Sequence, residues 1–175
     1  ERYSARGEME RFFRAADEVV RINNPDQVIK AVDGDYDAPG PGLPDNHCYT
    51  LWYNGHMMDF GDIHKGRWLP IKPGWNCGCG EFGSEGLENL DFMQRHYPTE
   101  WLPSVESPND WTPSQILWSQ THEKHFCLFE TPQSPEAWIE ESQRHHGWSM
   151  RVFTEALRRN PRMGTFAIHL FIAIP

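Results

Sequence analysis

The sequence predicts an α/β fold built on a parallel sheet, and three observations carry that prediction. Short β-prone runs alternate with helical periods along the 175 residues, the pattern of successive βαβ units. The run Thr165-Phe-Ala-Ile-His-Leu-Phe-Ile-Ala-Ile174 is almost continuously apolar, as a parallel strand covered on both faces requires. The chain also opens on a helical period with no strand before it and closes on that apolar strand. A sheet of this kind is expected to have at least one further neighbour on each side.

Taken in order, Met9, Phe12, Phe13, Ala16, Val19 and Val20 recur at three- and four-residue spacing, which predicts an amphipathic helix from Glu8 to Arg21 with one buried face. Asn23, Asn24 and Pro25 stop it. Gln27 to Val32 reads as a short buried strand that empties into the carboxylates Asp33, Asp35 and Asp37. Ala38 to Pro44 is loop, rich in Pro and Gly, and His47 to Tyr53 is a second β-rich, aromatic run. From Asn54 to Trp75 no period is sustained and Gly and Pro are frequent, so a long excursion over one face is expected, of the kind that is usually functional.

A third, short strand is predicted around Trp75 to Gly80. It leads through Glu81-Phe-Gly-Ser-Glu-Gly86 into a helix from Leu87 to about Tyr97, ended by Pro98. Thr112-Pro-Ser-Gln115 has the order of a helix start, with a capping Thr, Pro at the first position and Gln placed to close a capping box. Ser134-Pro135 is another start. The helix it opens, Pro135 to about Asn160, is expected to bury Trp138, Ile139, Trp148, Val152, Phe153, Ala156 and Leu157, and Pro161 bars its continuation.

Composition narrows the function. Twenty-five acidic against 16 basic side chains leave a formal net charge of −9, which disfavours nucleic acid and anionic membrane surfaces. No apolar run approaches the roughly 20 residues that span a bilayer. Eight Trp, ten Phe and five Tyr are many for a chain whose mean hydropathy is −0.68, so part of the aromatic set is expected to line a polar cleft, as in sugar-binding sites. The alternative is that these rings fill the core of a loop-rich domain. Cys48, Cys77, Cys79 and Cys127 form neither a dense disulfide framework nor paired C-x-x-C zinc ligands. His122-Glu-Lys-His125 lacks the spacing of a zincin helix, and His145-His146 cannot both face one metal from a helix, so no metal and no cofactor is expected.

In parallel barrels reactive groups sit at the C-terminal ends of strands. The candidates by that rule are Asp33, Asp35 and Asp37, then His47, Tyr49, Trp52 and Tyr53, then Glu81 and Glu85. Glu81 is the sharpest: it follows a short strand, lies between Gly80 and Gly83, and precedes a predicted helix start whose amides would favour an anion. Against this, Glu81 or Glu85 could simply complement the dipole of that helix.

The segment Gly78-Cys-Gly-Glu-Phe-Gly-Ser-Glu-Gly-Leu87 resembles the nucleophile strand of clan A glycoside hydrolases, most closely glycoside hydrolase family 2, in which a Glu followed by an aromatic and a small residue ends the seventh barrel strand. The resemblance implies a partial (β/α)8 TIM barrel, strands five to eight with their intervening helices. Residues 1–175 would be the C-terminal portion of a glycosidase catalytic domain, incomplete at both ends. His47 to Tyr53 would be the sixth strand and Thr165 to Ile174 the eighth. Its implied chemistry is retaining hydrolysis of a β-glycoside, with Glu81 as nucleophile and a second carboxyl as acid/base. In the family that second Glu follows an Asn at the end of the fourth strand. No Asn-Glu stands on a plausible strand before the first helix here, so the chain alone is expected to be inactive and its missing partner is the rest of its own barrel.

Family analogy has Tyr49 donate a hydrogen bond to Glu81, although Tyr49 could equally be core. Strand alternation lets one parity of the sixth strand face inward, which favours His47 and Tyr49 over Trp52. His169, polar within an apolar run, competes with Phe166 and Phe171 for the place where the family usually brings a Trp to the sugar floor, and a satisfied core histidine is its other explanation. Asp35 and Glu85 complete the expected substrate contacts. A carbohydrate-binding relative that keeps the cleft but has lost the chemistry is the alternative function, and a small self-sufficient α/β domain is a third.

Overall fold

The long helix organises the molecule. Ser134 accepts a hydrogen bond from the Ala137 amide at 3.2 Å and Pro135 occupies the first turn, where its missing N–H is no loss. The helix runs Pro135–Arg159 and closes on Asn160, with Arg158 and Arg159 in its last turn. In this computed structural model the described residues are 7–27, 29, 47–49, 60–65, 76–116 and 132–169. Among them, α1 is Gly7–Asn23, α2 Phe60–His64, β1 Cys77–Phe82, α3 Leu90–His96, α4 the long helix Pro135–Arg159, and β2 Met163–Ile168.

Strands β1 and β2 pair in parallel across the α4 crossover, so the βαβ unit expected at this end of the chain is present. Cys77, Cys79 and Phe82 of β1 are fully buried against Phe153, Ala156 and Leu157 of α4, with Cys48 and Ile63 completing this core. Burial pushes the Cys77 thiol above its ordinary range, with Arg162 opposing in part. A second core gathers Leu87, Met93, Trp101, Trp111 and Ile116 against Trp138 and Ile139, near the start of α4.

Several sequence expectations are corrected. Strand β1 begins two residues later than predicted and extends through Phe82, so Glu81 lies within the strand and not beyond it. Helix α3 starts at Leu90, not Leu87, so no helix N-terminus directly follows Glu81. The Thr112 start produces only a 3₁₀ turn, Pro113–Gln115, and the Thr112 hydroxyl bonds Ser114 Oγ at 2.6 Å instead of capping. Trp111 and Ile116 are both drawn into the second core, and a five-residue separation does not place two residues on one helical face. Within the excursion from Asn54 to Trp75 the short helix α2 forms, because Ile63 docks on the core beside α4 and Arg159 Nη1 donates to His64 Nε2 at 2.7 Å.

Burial was over-predicted in three places. Trp148 is 47% exposed. It falls roughly 120° round the helix from the buried stripe, at about 100° per residue. On β2, Met163 and Phe166 turn toward the core while Gly164, Thr165, Ala167 and Ile168 are exposed, so its described part is not covered on both faces. Strand β1 lies along one edge of it, and no other described element covers the remaining face. Helix α1 has the predicted period, with Arg14–Glu10 and Arg21–Asp17 pairs on its surface. Yet Phe12, Val19 and Ile22 are exposed, because no described element packs on that face. The predicted strand from Gln27 to Val32 lies largely outside the described residues.

Two consequences are measurable. Gly147 sits inside α4 on its solvent side, where a Cβ would meet nothing within 4 Å. Gly147→Ala is expected to stabilise the fold by about 0.5–1 kcal/mol by removing backbone freedom from the unfolded chain, read as a raised denaturation midpoint. The Tyr97 hydroxyl is held above its ordinary pKa, first by burial and then by the charges of Glu88 and Glu85. Folded Tyr97 therefore keeps its proton above the pH at which the unfolded chain releases it. Its contribution is fully present below about pH 10 and is lost as pH rises through the higher folded value. Tyr97→Phe should remove that part of the alkaline decline in stability, and denaturation midpoints compared between pH 9 and 12 will read it.

Candidate active site

The site is assembled by backbone first. Successive carbonyls of a strand point to opposite edges. Glu81 O accepts the Cys48 amide at 2.8 Å from one side, and Phe82 O accepts the His169 amide at 3.0 Å from the other. Residues 47–49 thus run parallel to β1, with a bridge between Cys48 and Phe82, and the residue just past β2 is brought level with Glu81. Three segments far apart in sequence converge at one strand end.

Side-chain direction depends on a bulge. Strict alternation would put Glu81 on the buried face with Cys77 and Cys79. The register instead runs Cys79↔Phe166 and then Phe82↔Ile168, three residues of β1 against two of β2. The extra residue turns Phe82 into the core and Glu81 away from it, the re-aiming that bulges perform next to functional sites. Across the edge Cys48 enters the core while His47 and Tyr49, of opposite parity, face Glu81.

The Glu81 carboxylate then acquires an asymmetric set of neighbours. Tyr49 donates its hydroxyl proton to Oε2 at 2.6 Å, and His47 Nδ1 lies 3.0 Å from the same oxygen. Oε1 is 3.7 Å from His169 Nε2, beyond hydrogen-bond range, and has no donor among the described residues. The rings of His47 and His169 both stand nearly perpendicular to that of Tyr49, with centroids 6.4 and 6.1 Å away. Glu81 is 23% exposed and His169 41%, so the group is lodged in the structure without being sealed from solvent. Such an arrangement can present a nucleophilic oxygen or bind the hydroxyls of a polar ligand.

Of the residues singled out in the sequence, His47, Tyr49, Glu81 and His169 are brought together. Glu85 is half-buried further along the loop, where its charge acts on Tyr97. Asp35 and Trp52 lie outside the described residues, as do His122 and His125. The His145 ring packs at a tilt against that of Trp148, and His146 Nδ1 donates to the Ser84 carbonyl. Among the described residues no group of three His, Cys, Asp or Glu side chains could hold a metal ion, and no helix is long and apolar enough to cross a membrane. The sequence reading missed the tight approach at Gly83 and the polar residues of α4 that face the loop after Glu81. The available signal was the pair Ser142 and Ser149, seven residues apart on an otherwise apolar stripe.

No family model matches the chain, and no curated protein matches it. Among solved structures, it is similar to the crystal structure of a β-D-mannosidase from Dictyoglomus thermophilum, at 17% sequence identity and a TM-score of 0.47. The match covers 77% of this chain and 16% of that one, so the chain spans about a sixth of its neighbour's length.

Proposed function

We propose that the chain forms strands five to eight of the (β/α)8 barrel of a retaining β-glycosidase, with Glu81 as its nucleophile. The observation that carries the reading is the asymmetric carboxylate: Oε2 bound by the Tyr49 hydroxyl with His47 beside it, and Oε1 without a donor among the described residues, next to a part-exposed His169. A nucleophile must be aimed and reachable on one lone pair, and a carboxylate fixed through one oxygen supports that reading. In this reading residues 47–49 belong to the sixth strand, β1 is the seventh and β2 the eighth. His47, Tyr49 and His169 line the substrate face, and Asp35, Trp52 and Glu85 are further sugar contacts.

The reaction is a double displacement. Glu81 Oε1 attacks the anomeric carbon as the bond to the leaving oxygen breaks, and a second carboxyl, supplied by the remainder of the barrel, gives that oxygen its proton. The same group then takes a proton from water, which attacks the anomeric carbon and releases Glu81 with overall retention. Retaining sites hold the two carboxyls about 5–5.5 Å apart. The test is trapping: the intact protein treated with a fluorinated β-glycoside inactivator should carry one sugar on the peptide containing Glu81. A label on Glu85, or inverted stereochemistry in the product, would overturn the assignment. Sugar binding without hydrolysis, undiminished in Glu81→Ala, would instead favour a carbohydrate-binding relative.

A further inference from the structure

Between the end of β1 and the start of α3 the chain runs through residues 83–89 with no ladder or helix of its own, although Gly83, Ser84 and Leu87 are buried. Buried backbone groups need partners, and α4 provides them from one side. Leu87 N donates to Ser142 Oγ at 2.9 Å, and Gln143 Nε2 donates to Leu87 O at 2.8 Å and to Asn89 Oδ1 at 3.1 Å. Ser84 is held at two points. Its carbonyl accepts from His146 Nδ1, and its hydroxyl meets that of Ser149. Ser149 Oγ donates to the His146 carbonyl at 3.0 Å, which uses its single proton, so Ser84 is the donor of that pair.

This seam leaves the strand end little slack. A Cβ at Gly86 would lie 3.2 Å from His146 Cβ, so the imidazole is set close against the loop. Gly83 is squeezed between α4 and β2: a Cβ there would fall 3.3 Å from Met150 Cε and well inside contact of the His169 carbonyl oxygen. Any displacement of Ser84 passes through Gly83 to His169, whose ring faces Glu81 Oε1 and whose amide binds Phe82 O. We propose that His146 is a positioning residue for Glu81, acting through the Ser84 carbonyl to set the spacing between the carboxylate and His169. The consequence for catalysis rests on the glycosidase reading, whereas the effect on the geometry of Glu81 and His169 does not.

Two variants of the intact protein separate positioning from bulk. His146→Phe keeps a ring of similar size without a donor, and His146→Asn returns an N–H near the place of Nδ1. Three quantities are compared: amide hydrogen exchange over residues 83–89, the NMR ring resonances of His169, and kcat and KM on an aryl β-glycoside. In His146→Phe, exchange at Leu87 and its neighbours should accelerate at least tenfold and the His169 resonances should move. Its kcat should fall roughly tenfold to a hundredfold, with KM little changed, as for misplacement of a reacting group by less than about 1 Å. His146→Asn should recover most of each. A lowered melting temperature in both variants, with His169 resonances and the kcat of folded protein unmoved, overturns the proposal, because that is what a purely structural histidine produces. If the parent shows neither turnover nor labelling at Glu81, the glycosidase reading fails, and exchange and the His169 resonances still decide the positioning.

Discussion

If the intact protein is the β-glycosidase proposed above, Glu81→Gln is expected to abolish its turnover while leaving the fold standing. The substitution keeps the shape of the side chain. Its amide oxygen can take the place of Oε2, accepting from Tyr49 beside His47, and its NH2 then points toward His169. Loss of the nucleophilic oxygen should cost roughly 10⁴-fold or more in kcat, equivalent to about 5–6 kcal/mol of transition-state stabilisation. The melting temperature should change little, because the Glu81 side chain is 23% exposed and the Tyr49 hydroxyl keeps an acceptor. Steady-state kinetics and thermal unfolding of the same preparation provide both numbers, and turnover close to that of the parent would exclude Glu81 as the nucleophile.

Gly83→Ala is expected to damage both stability and the site. The conflict is spatial, since the added methyl would meet the carbonyl oxygen of His169 on one side and the end of Met150 on the other. Met150 is flexible and can yield. The His169 carbonyl is backbone, continuous with β2, and its residue's own amide is bonded to Phe82 O at 3.0 Å. The strand ends must therefore part, at an overpacking cost of about 1–3 kcal/mol. Parting them widens the gap between Glu81 Oε1 and His169 and disturbs the bulge that aims Glu81. Denaturant titration should show the loss of stability, and the kcat of the remaining folded fraction should fall as well. A fully stable, fully active Gly83→Ala would mean that the close approach of β1 to β2 is not needed.

Long-period features were legible in the sequence. Helix α4 was expected from Pro135 to about Asn160 and runs Pro135–Arg159, because Ser134, Pro135 and Pro161 are strong boundary signals and the apolar stripe repeats over many turns. Helix α1 was legible for the same reason, but the fate of its apolar face was not, since a period says which residues share a face and not what lies against it. The shared facing of His47 and Tyr49 followed from alternation alone. Alternation failed at Glu81, where the extra residue of the bulge reverses the parity of everything after Cys79. The 3₁₀ turn at Pro113–Gln115 carries a helix-start signature that the packing of Trp111 and Ile116 overrode.

What the sequence determines by itself is local. It marks the caps and stops of its helices, the β-prone runs, the acidic balance that disfavours nucleic acid, and a Glu81 set between Gly80 and Gly83 at a strand end. Tertiary structure alone decides that the Oε2 oxygen of this Glu is bound by Tyr49, 32 residues upstream, that His169 faces the other oxygen, and that α4 holds the loop between them. The physical reason is range. Caps and periods act over one or two turns of chain, whereas a side chain's hydrogen-bond partners depend on register, bulges and close approaches that arise only when distant segments pack.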